Sequence, residues 1–409
     1  MRWIFFVILY ILIDIYAFQA FRTLARSNFA MYAFIFVSLL VFGNFMYWWV
    51  QPNTGSVYTG PRSYALGFLV SFILAKIILI LFMFGEDVVR LFVGSYSKFV
   101  SGGEFYFPSR RKFVSTIALG VASIPFLSLL YGMYRGKYNF RKISHVLEFD
   151  DLPDEFDGYR ITHISDIHCG SFDSQHEVKA AIEMINDANC DAVMFTGDLV
   201  NNRSDEMNDW MEVFGAIRAK DGVFSVFGNH DYGDYTEWPS ETEKEQNLED
   251  LKVIHKNLGW NLLLNEHRII EKNGSKIAVV GVENWGTGGF IKKGDIDLAG
   301  EGLEKPDFKI LLSHDPSYWT DRLRSDEKNY QLTLSGHTHG MQFGIEIPGW
   351  FRWSPIQYRY DHWAGIYKEF GRYLNVNRGF GYLGYPGRVG IWPEITIIEL
   401  RKSKSLQTS

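Results

Sequence analysis

A chain of 409 residues is long enough for two or three folding units, and 47% hydrophobic content beside a near-neutral mean hydropathy requires its apolar residues to be concentrated rather than spread evenly. The formal net charge of −6, with no Lys or Arg block in the last two thirds, removes the basic footprint expected of a nucleic-acid binder, so no nucleic-acid partner is expected. The cysteines, Cys169 and Cys190, are too few for a disulfide framework or a thiolate metal site and do not identify the compartment.

The apolar residues gather at the N-terminus. Four stretches precede Arg135: Ile4 to Phe21, Phe29 to Val50, Tyr64 to Phe84 and Phe113 to Tyr131. Each approaches the ~20 residues that a helix needs to cross a bilayer core, and four in succession on short polar connectors argue against a signal peptide or a buried core helix. Residues 1–135 are therefore expected to form a membrane region of four transmembrane helices, which makes the chain a multi-pass membrane protein. Tyr47, Trp48, Trp49 and Tyr64 stand at ends of the stretches, where amphipathic rings favour the headgroup layer. Asp14 and Lys76 fall inside them, where a charge must snorkel, pair or serve a function. Lys and Arg near the ends are almost evenly divided between the two sides, so they set no orientation. The sequence Ser109-Arg110-Arg111-Lys112 resembles a twin-arginine export signal, which tilts the expectation towards an extracytoplasmic C-terminal part.

Residues 136–409 change to the composition of an α/β domain. Ile161 to Ile164, Ala192 to Phe195, Val223 to Phe227, Lys276 to Val282, Ile310 to Leu312 and Leu332 to Leu334 are short apolar runs that end in polar residues, the pattern of buried strands. Helical patterns lie between them at Glu177 to Ala188, Trp210 to Ala219 and Glu241 to Asn257. Alternation of the two predicts an α/β sheet architecture.

In such sheets ligands gather beyond the carboxyl ends of the strands. Asp166 and His168 follow one run, Asp198 the next, Asn229, His230 and Asp231 the third, His314 a later one, and His337 with His339 the last. Singly, an Asp-x-His or a Gly-Asp is compatible with an ordinary turn. Gly228-Asn229-His230-Asp231 and Gly336-His337-Thr338-His339-Gly340 are sharper, since glycines beside closely spaced ligand-type side chains permit an extended loop around one site. Carboxylate, amide and imidazole donors without thiolate suit two divalent ions of the Mn, Fe or Zn kind.

The full order D-x-H, G-D, G-N-H-D, H, G-H-x-H resembles the calcineurin-like metallophosphoesterase superfamily over about Gly158 to Leu400. The resemblance implies a sandwich of two mixed sheets flanked by helices. It also implies that Asp166, His168 and His339 hold one metal, that Asn229, His314 and His337 hold a second, and that Asp198 bridges them. His230 matches the catalytic histidine and Asp231 its orienting acid. The segment Tyr373 to Leu400, with Arg378-Gly379-Phe380-Gly381 and Pro393-Glu394-Ile395, resembles the transmembrane subgroup. That subgroup commonly reads G-H-T-H-G-G-Q, and Met341 replaces the second glycine here.

The chemistry implied is hydrolysis of a phosphomonoester, phosphodiester or pyrophosphate bond by a hydroxide shared between the metals, with His230 protonating the leaving oxygen. Some members of the resembling subgroup cleave UDP-diacylglucosamine, so a lipid-linked phosphate ester near the membrane is the leading expectation. The aromatic segment Trp350-Phe351-Arg352-Trp353 with Tyr358, Tyr360 and Trp363 is expected either to touch lipid or to pack over the sheet. The alternatives are a broad phosphodiesterase or nucleotide phosphatase, and a non-catalytic membrane signalling module with a relic site.

Overall fold

The computed structural model describes residues 2–25, 27–51, 60–101, 108–304, 307–347 and 349–403. The chain divides into two compact units, the first ending at Tyr134 and the second running from Arg135.

In the first unit, α1 (Arg2–Leu24), α2 (Asn28–Val50), α3 (Gly60–Tyr96) and α4 (Pro108–Tyr134) follow the four apolar stretches. Among the described residues these four helices are long and apolar enough to cross a membrane. α3 overruns its apolar stretch, and its continuation carries an ion pair one turn apart, Glu86 with Arg90 at 3.0 Å. Asp14 and Lys76 pair at 2.7 Å, and the ammonium also donates to the Tyr10 hydroxyl at 3.0 Å and to that of Ser38. Pairing removes most of the cost of a lone charge among apolar helices. Arg111, from the twin-arginine-like sequence, bonds to Asp87 at 2.9 Å.

The second unit is built on fourteen strands among the described residues: β1 (Arg141–Phe149), β2 (Arg160–Ile164), β3 (Ala192–Phe195), β4 (Val223–Ser225), β5 (Trp260–Leu262), β6 (Glu266–Lys272), β7 (Ser275–Gly281), β8 (Lys309–Leu312), β9 (Leu332–Ser335), β10 (Ile345–Ile347), β11 (Phe351–Trp353), β12 (Gly365–Glu369), β13 (Arg372–Val376) and β14 (Glu394–Lys402). Two six-stranded mixed sheets result, ordered β1-β14-β2-β3-β4-β5 and β12-β13-β9-β8-β7-β6, with β10 and β11 as a separate hairpin. Both faces of the inner strands are covered, which explains why they read as unbroken apolar runs. Ala192 and Met194 of β3 point into the core shared with Val279, Ile310 and Leu334 of the other sheet. Val193 and Phe195 point outward onto Val178, Ile182 and Ile185 of the helix Gln175–Asp187. The second sheet is covered outside by Tyr318, Trp319 and Ala299.

One expected helix shrinks. The pattern Trp210 to Ala219 forms only the single turn Met211–Phe214, which ends at Gly215. Beyond it the Asn186 side chain takes the Ala216 carbonyl at 2.9 Å and the Arg218 N–H at 3.1 Å, removing backbone groups that a longer helix would need.

Strands β2, β3 and β4 are parallel, as are β7, β8 and β9. Their carboxyl ends therefore deliver the polar loops of both sheets to one place.

Candidate metal centre

Five of the nine residues singled out from the sequence adopt left-handed backbone: Asp166 (φ 54°), His168 (47°), Asp198 (60°), His337 (69°) and His339 (50°). Each costs roughly 1–2 kcal/mol for a residue with a Cβ, and such strain persists where the surroundings fix a functional geometry. Neighbouring glycines make the turns feasible. A Cβ on Gly228 would lie 2.2 Å from Asp198 Oδ1, and one on Gly336 would lie 2.2 Å from Asp166 Oδ2.

Asp166, His168 and His339 form one group of converging donors and Asp198, His314 and His337 a second. In the first, His339 Nε2 is 3.1 Å from His168 Nε2 and 3.2 Å from Asp166 Oδ1. Backbone N–H of His337 donates to both Asp166 oxygens at 3.0 Å, tying the last loop to the first. In the second, His314 Nε2 is 3.2 Å from both Asp198 Oδ2 and His337 Nδ1. Asp198 Oδ2 also lies 3.5 Å from His168 Nε2, so this one oxygen reaches an imidazole of each group.

The donors fit divalent cations. His314 donates from Nδ1 to the Thr196 carbonyl at 2.6 Å, which commits one proton there and leaves Nε2, facing Asp198 and His337, as the nitrogen that would exchange its proton for a cation. Asn229 donates from Nδ2 to the Tyr235 hydroxyl at 2.9 Å, while its buried Oδ1 has no hydrogen-bond partner. An orphaned buried acceptor costs about 1–3 kcal/mol, and a cation would repay it. Electrostatics point the same way. Burial pushes the Asp166 and Asp198 carboxyls up, but the nearby imidazoles outweigh it, His339 for Asp166 and His314 for Asp198, and hold both well below the usual range. Burial pushes His314 down, yet Asp198 outweighs it and carries it up to about 10, whereas burial keeps His168 and His337 low. Two carboxylates thus demand positive charge that a proton on His314 supplies and that divalent cations would replace.

His230 sits beside both groups without joining either. Its Nδ1 donates to the Asn201 carbonyl at 2.7 Å, and its backbone N–H donates to Asp198 Oδ1 at 2.8 Å. The bond at Nδ1 thus goes to the main chain and not to Asp231, the expected orienting acid. The Asp231 carboxylate instead accepts from the N–H groups of Gly228, Asp198, Leu199 and Val200, at 2.8, 2.9, 2.9 and 3.3 Å. It joins the Asp198 loop to the Asn229 loop, because four converging backbone donors outcompete a ring whose Nδ1 is already taken. Burial and Asp198 push Asp231 up to about 7 against the pull of these donors.

A cavity of about 240 Å³ opens over Asp198, Asn229, His230, His337 and His339, bordered by Tyr235, Phe290, Ile356, Arg359 and Tyr360. A larger groove, about 610 Å³, lies beside Phe149, Gln331 and Tyr373 and contains none of the candidate residues. Sequence reasoning missed Asn201, Tyr235 and Arg388 and gave Tyr360 no part in the site. Tyr360 holds its hydroxyl 2.8 Å from His337 Nε2, and the fully buried Arg388 places Nη2 3.2 Å from His339 Nδ1. Tyr235 lies over His230 with ring centres 4.4 Å apart.

Residues 1–137 match the family model described as a probable calcineurin-like phosphoesterase transmembrane domain, and residues 159–341 match that of the calcineurin-like phosphoesterases. The uncharacterised metallophosphoesterase YkuE of Bacillus subtilis is 27% identical over 281 residues, covering 67% of this chain and 90% of that protein. A Danio rerio transmembrane protein with a metallophosphoesterase domain is 26% identical over 284 residues, 67% of this chain and 60% of its own length. The phosphodiesterase YaeI of Escherichia coli is 26% identical over 298 residues, 71% of this chain and 99% of that protein.

Proposed function

We propose that this chain, which belongs to the calcineurin-like metallophosphoesterase superfamily and to its transmembrane group, hydrolyses a phosphoester or pyrophosphate bond of a lipid-linked substrate at the membrane surface. The enzymatic class is metal-dependent phosphoester hydrolysis. Asp166, His168 and His339 would hold one divalent cation, Asn229, His314 and His337 the other, and Asp198 would bridge them. Two such cations supply Lewis-acid activation of water and of the phosphoryl group, and Mn, Fe and Zn suit the donor set. Water adds to phosphorus and the bond from phosphorus to the leaving oxygen breaks. The proton that the water gives up is taken by Nε2 of His230, whose Nδ1 proton stays bonded to the Asn201 carbonyl, and passes from Nε2 to the leaving oxygen. The observation that carries this reading is the reach of Asp198 Oδ2 to His314 and His168 at 3.2 and 3.5 Å, one imidazole from each group.

A lipid-linked substrate is supported by the surface next to the cavity. Met341, Ile345, Ile347, Trp350, Phe351 and Tyr358 are all exposed on one segment of the chain, which also contains the cavity-lining Ile356 and is followed directly by the cavity-lining Arg359 and Tyr360. Large apolar side chains clustered on a surface favour contact with another apolar phase, and the same chain carries four membrane-length helices. The twin-arginine-like sequence favours an extracytoplasmic catalytic unit, whereas a UDP-linked lipid such as UDP-diacylglucosamine would be met on the cytoplasmic side. Protease protection in sealed vesicles decides between the two.

The test uses full-length protein in detergent. It should hydrolyse bis(p-nitrophenyl) phosphate, lose activity to a chelator and regain it with Mn or Zn. Asp198→Asn should lower the content of both ions and reduce turnover more than Asp166→Asn. A UDP-linked lipid in mixed micelles should be cleaved faster than UDP-glucose, and equal rates on the two would remove the lipid-linked reading while leaving the hydrolase in place.

A further inference from the structure

One wall of the cavity has no part in holding a cation. Phe290, Ile356, Arg359 and Tyr360 line it, and apart from the imidazoles Arg359 is the basic side chain among these lining residues. Arg359 is exposed at the mouth. Its guanidinium lies 5.3 Å from the ring centre of Phe290 and 5.5 Å from that of Tyr360. Both rings belong to the cavity and both adjoin His337: Phe290 packs edge-on against its imidazole at 4.7 Å, and the Tyr360 hydroxyl stands 2.8 Å from its Nε2. Only the Tyr360 ring stands between Arg359 and His337, a candidate ligand of the second cation.

Among the described residues Arg324 pairs with Glu369 and Arg378 with Glu394 and Glu346, while no salt bridge includes Arg359. A guanidinium is held here by aromatic faces, at the entrance to a centre that handles phosphate esters. Its planar fork matches phosphoryl oxygens in pairs, and stacking on rings pre-organises it without neutralising its charge. The scissile phosphoryl group belongs to the two cations. Arg359 is one ring away from His337 on both the Phe290 and the Tyr360 side, so the group that meets it lies next to the scissile one.

We propose that Arg359 binds a second phosphoryl group joined to the scissile phosphoryl through an anhydride oxygen, so that the site selects pyrophosphate-linked substrates over simple phosphodiesters. This rests on the reading of the site as a phosphoester hydrolase and names the substrate class within it. Arg359 is a specificity-determining residue in this scheme.

The test compares full-length wild type, Arg359→Lys and Arg359→Gln in detergent with Mn present. Calorimetric titration with UDP and with UMP gives the affinity ratio for one added phosphoryl group. Wild type should prefer UDP by roughly tenfold or more, as expected for charge-assisted hydrogen bonds to a phosphoryl group. Arg359→Gln should bring the ratio close to unity. Arg359→Lys should fall between, since it retains charge without the fork. A second readout is the ratio of kcat/KM on UDP-glucose to that on bis(p-nitrophenyl) phosphate, from which any general loss cancels, and it should fall at least tenfold in Arg359→Gln. A UDP-to-UMP ratio that is the same in Arg359→Gln as in wild type, or a wild type that does not distinguish the two nucleotides, overturns the proposal. If the ratio depends on Arg359 while neither ester is hydrolysed, the recognition stands and the hydrolase reading fails. If both esters are hydrolysed and neither ratio moves, the hydrolase reading stands and the assignment of Arg359 fails.

Discussion

The carbonyl oxygen of Asn201 accepts a hydrogen bond from Nδ1 of His230 at 2.7 Å. A carbonyl cannot donate, so the contact fixes the tautomer with the proton on Nδ1 and leaves Nε2 as the nitrogen that exchanges a proton with substrate. The ring is further confined between the His168 imidazole, edge-on at 4.9 Å, and the face of Tyr235. Orientation of the proposed acid is thus set by the main chain.

From this, His230→Ala should leave metal occupancy near the wild-type level while slowing hydrolysis of an alkyl phosphodiester by the ~10²–10⁴ typical of a lost proton donor. An activated aryl ester needs little protonation and should lose much less. Rates across leaving groups of different pKa, with metal content measured on the same samples, check this. Equal losses on both esters would mean that His230 does not protonate the leaving oxygen.

Asp231→Asn should behave differently from His230→Ala. An amide nitrogen placed where a carboxylate now accepts four backbone N–H groups sets donor against donor, at about 1–3 kcal/mol for the groups left unpaired. The loops carrying Asp198 and Asn229 should loosen together. The expected result is lower stability, reduced metal content and similar losses on alkyl and aryl esters. A loss confined to the alkyl ester would return Asp231 to the role of orienting acid.

Glu206 provides a test in pH. Its carboxyl receives the N–H groups of Asn201, Asn202 and Arg203 at 2.7, 3.0 and 3.0 Å and so supports the loop that presents the Asn201 carbonyl. Burial nevertheless raises it from its usual 4.5 to about 7. A group whose pKa is higher in the folded state contributes stability that is present below about 4.5 and is lost as pH rises through about 7. Relative to wild type, Glu206→Gln should therefore gain stability between pH 5 and pH 7.5, by at most roughly 3 kcal/mol. Thermal unfolding of both proteins across that range, at fixed metal concentration, measures it. A gap moving in favour of wild type as pH rises would mean that the three N–H groups keep Glu206 ionised.

The donors at the ends of β2, β3, β4, β8 and β9 were legible because each follows a short apolar run and carries its chemistry in the side chain. Asn201 was not, since it acts through a carbonyl that every residue possesses. Tyr360 was seen as part of an aromatic segment, yet nothing local to it tells that it faces His337. The outer sheet order was illegible for a related reason: β1 pairs in parallel with β14, joining Arg141 to Glu394 across most of the domain, and no local pattern encodes such a partner. Periodicity misled at Trp210 to Ala219, where the competing hydrogen bonds come from Asn186 on another helix.

Met341 occupies the position where the transmembrane subgroup commonly has a second glycine, and its backbone is left-handed, at φ 54°. Its side chain is 56% exposed, so little packing repays the strain. A residue with a Cβ in this region costs roughly 1–2 kcal/mol, and glycine relieves that cost while adding about 0.5–1 kcal/mol of unfolded-state entropy. Met341→Gly should therefore stabilise the protein by roughly 0.5–1 kcal/mol, while Met341→Ala, which keeps the Cβ, should not. Gln342 and His339 are also left-handed, at 56° and 50°, so the loop that carries a candidate ligand is strained on both sides of Met341. Relief at one position should reduce the tendency of this loop to relax away from the ligand geometry, and metal affinity should rise with stability in the glycine variant. Thermal unfolding in chelator and in Mn separates the two effects. A glycine variant less stable than wild type in chelator would show that the Met341 side chain contributes contacts that outweigh its backbone strain.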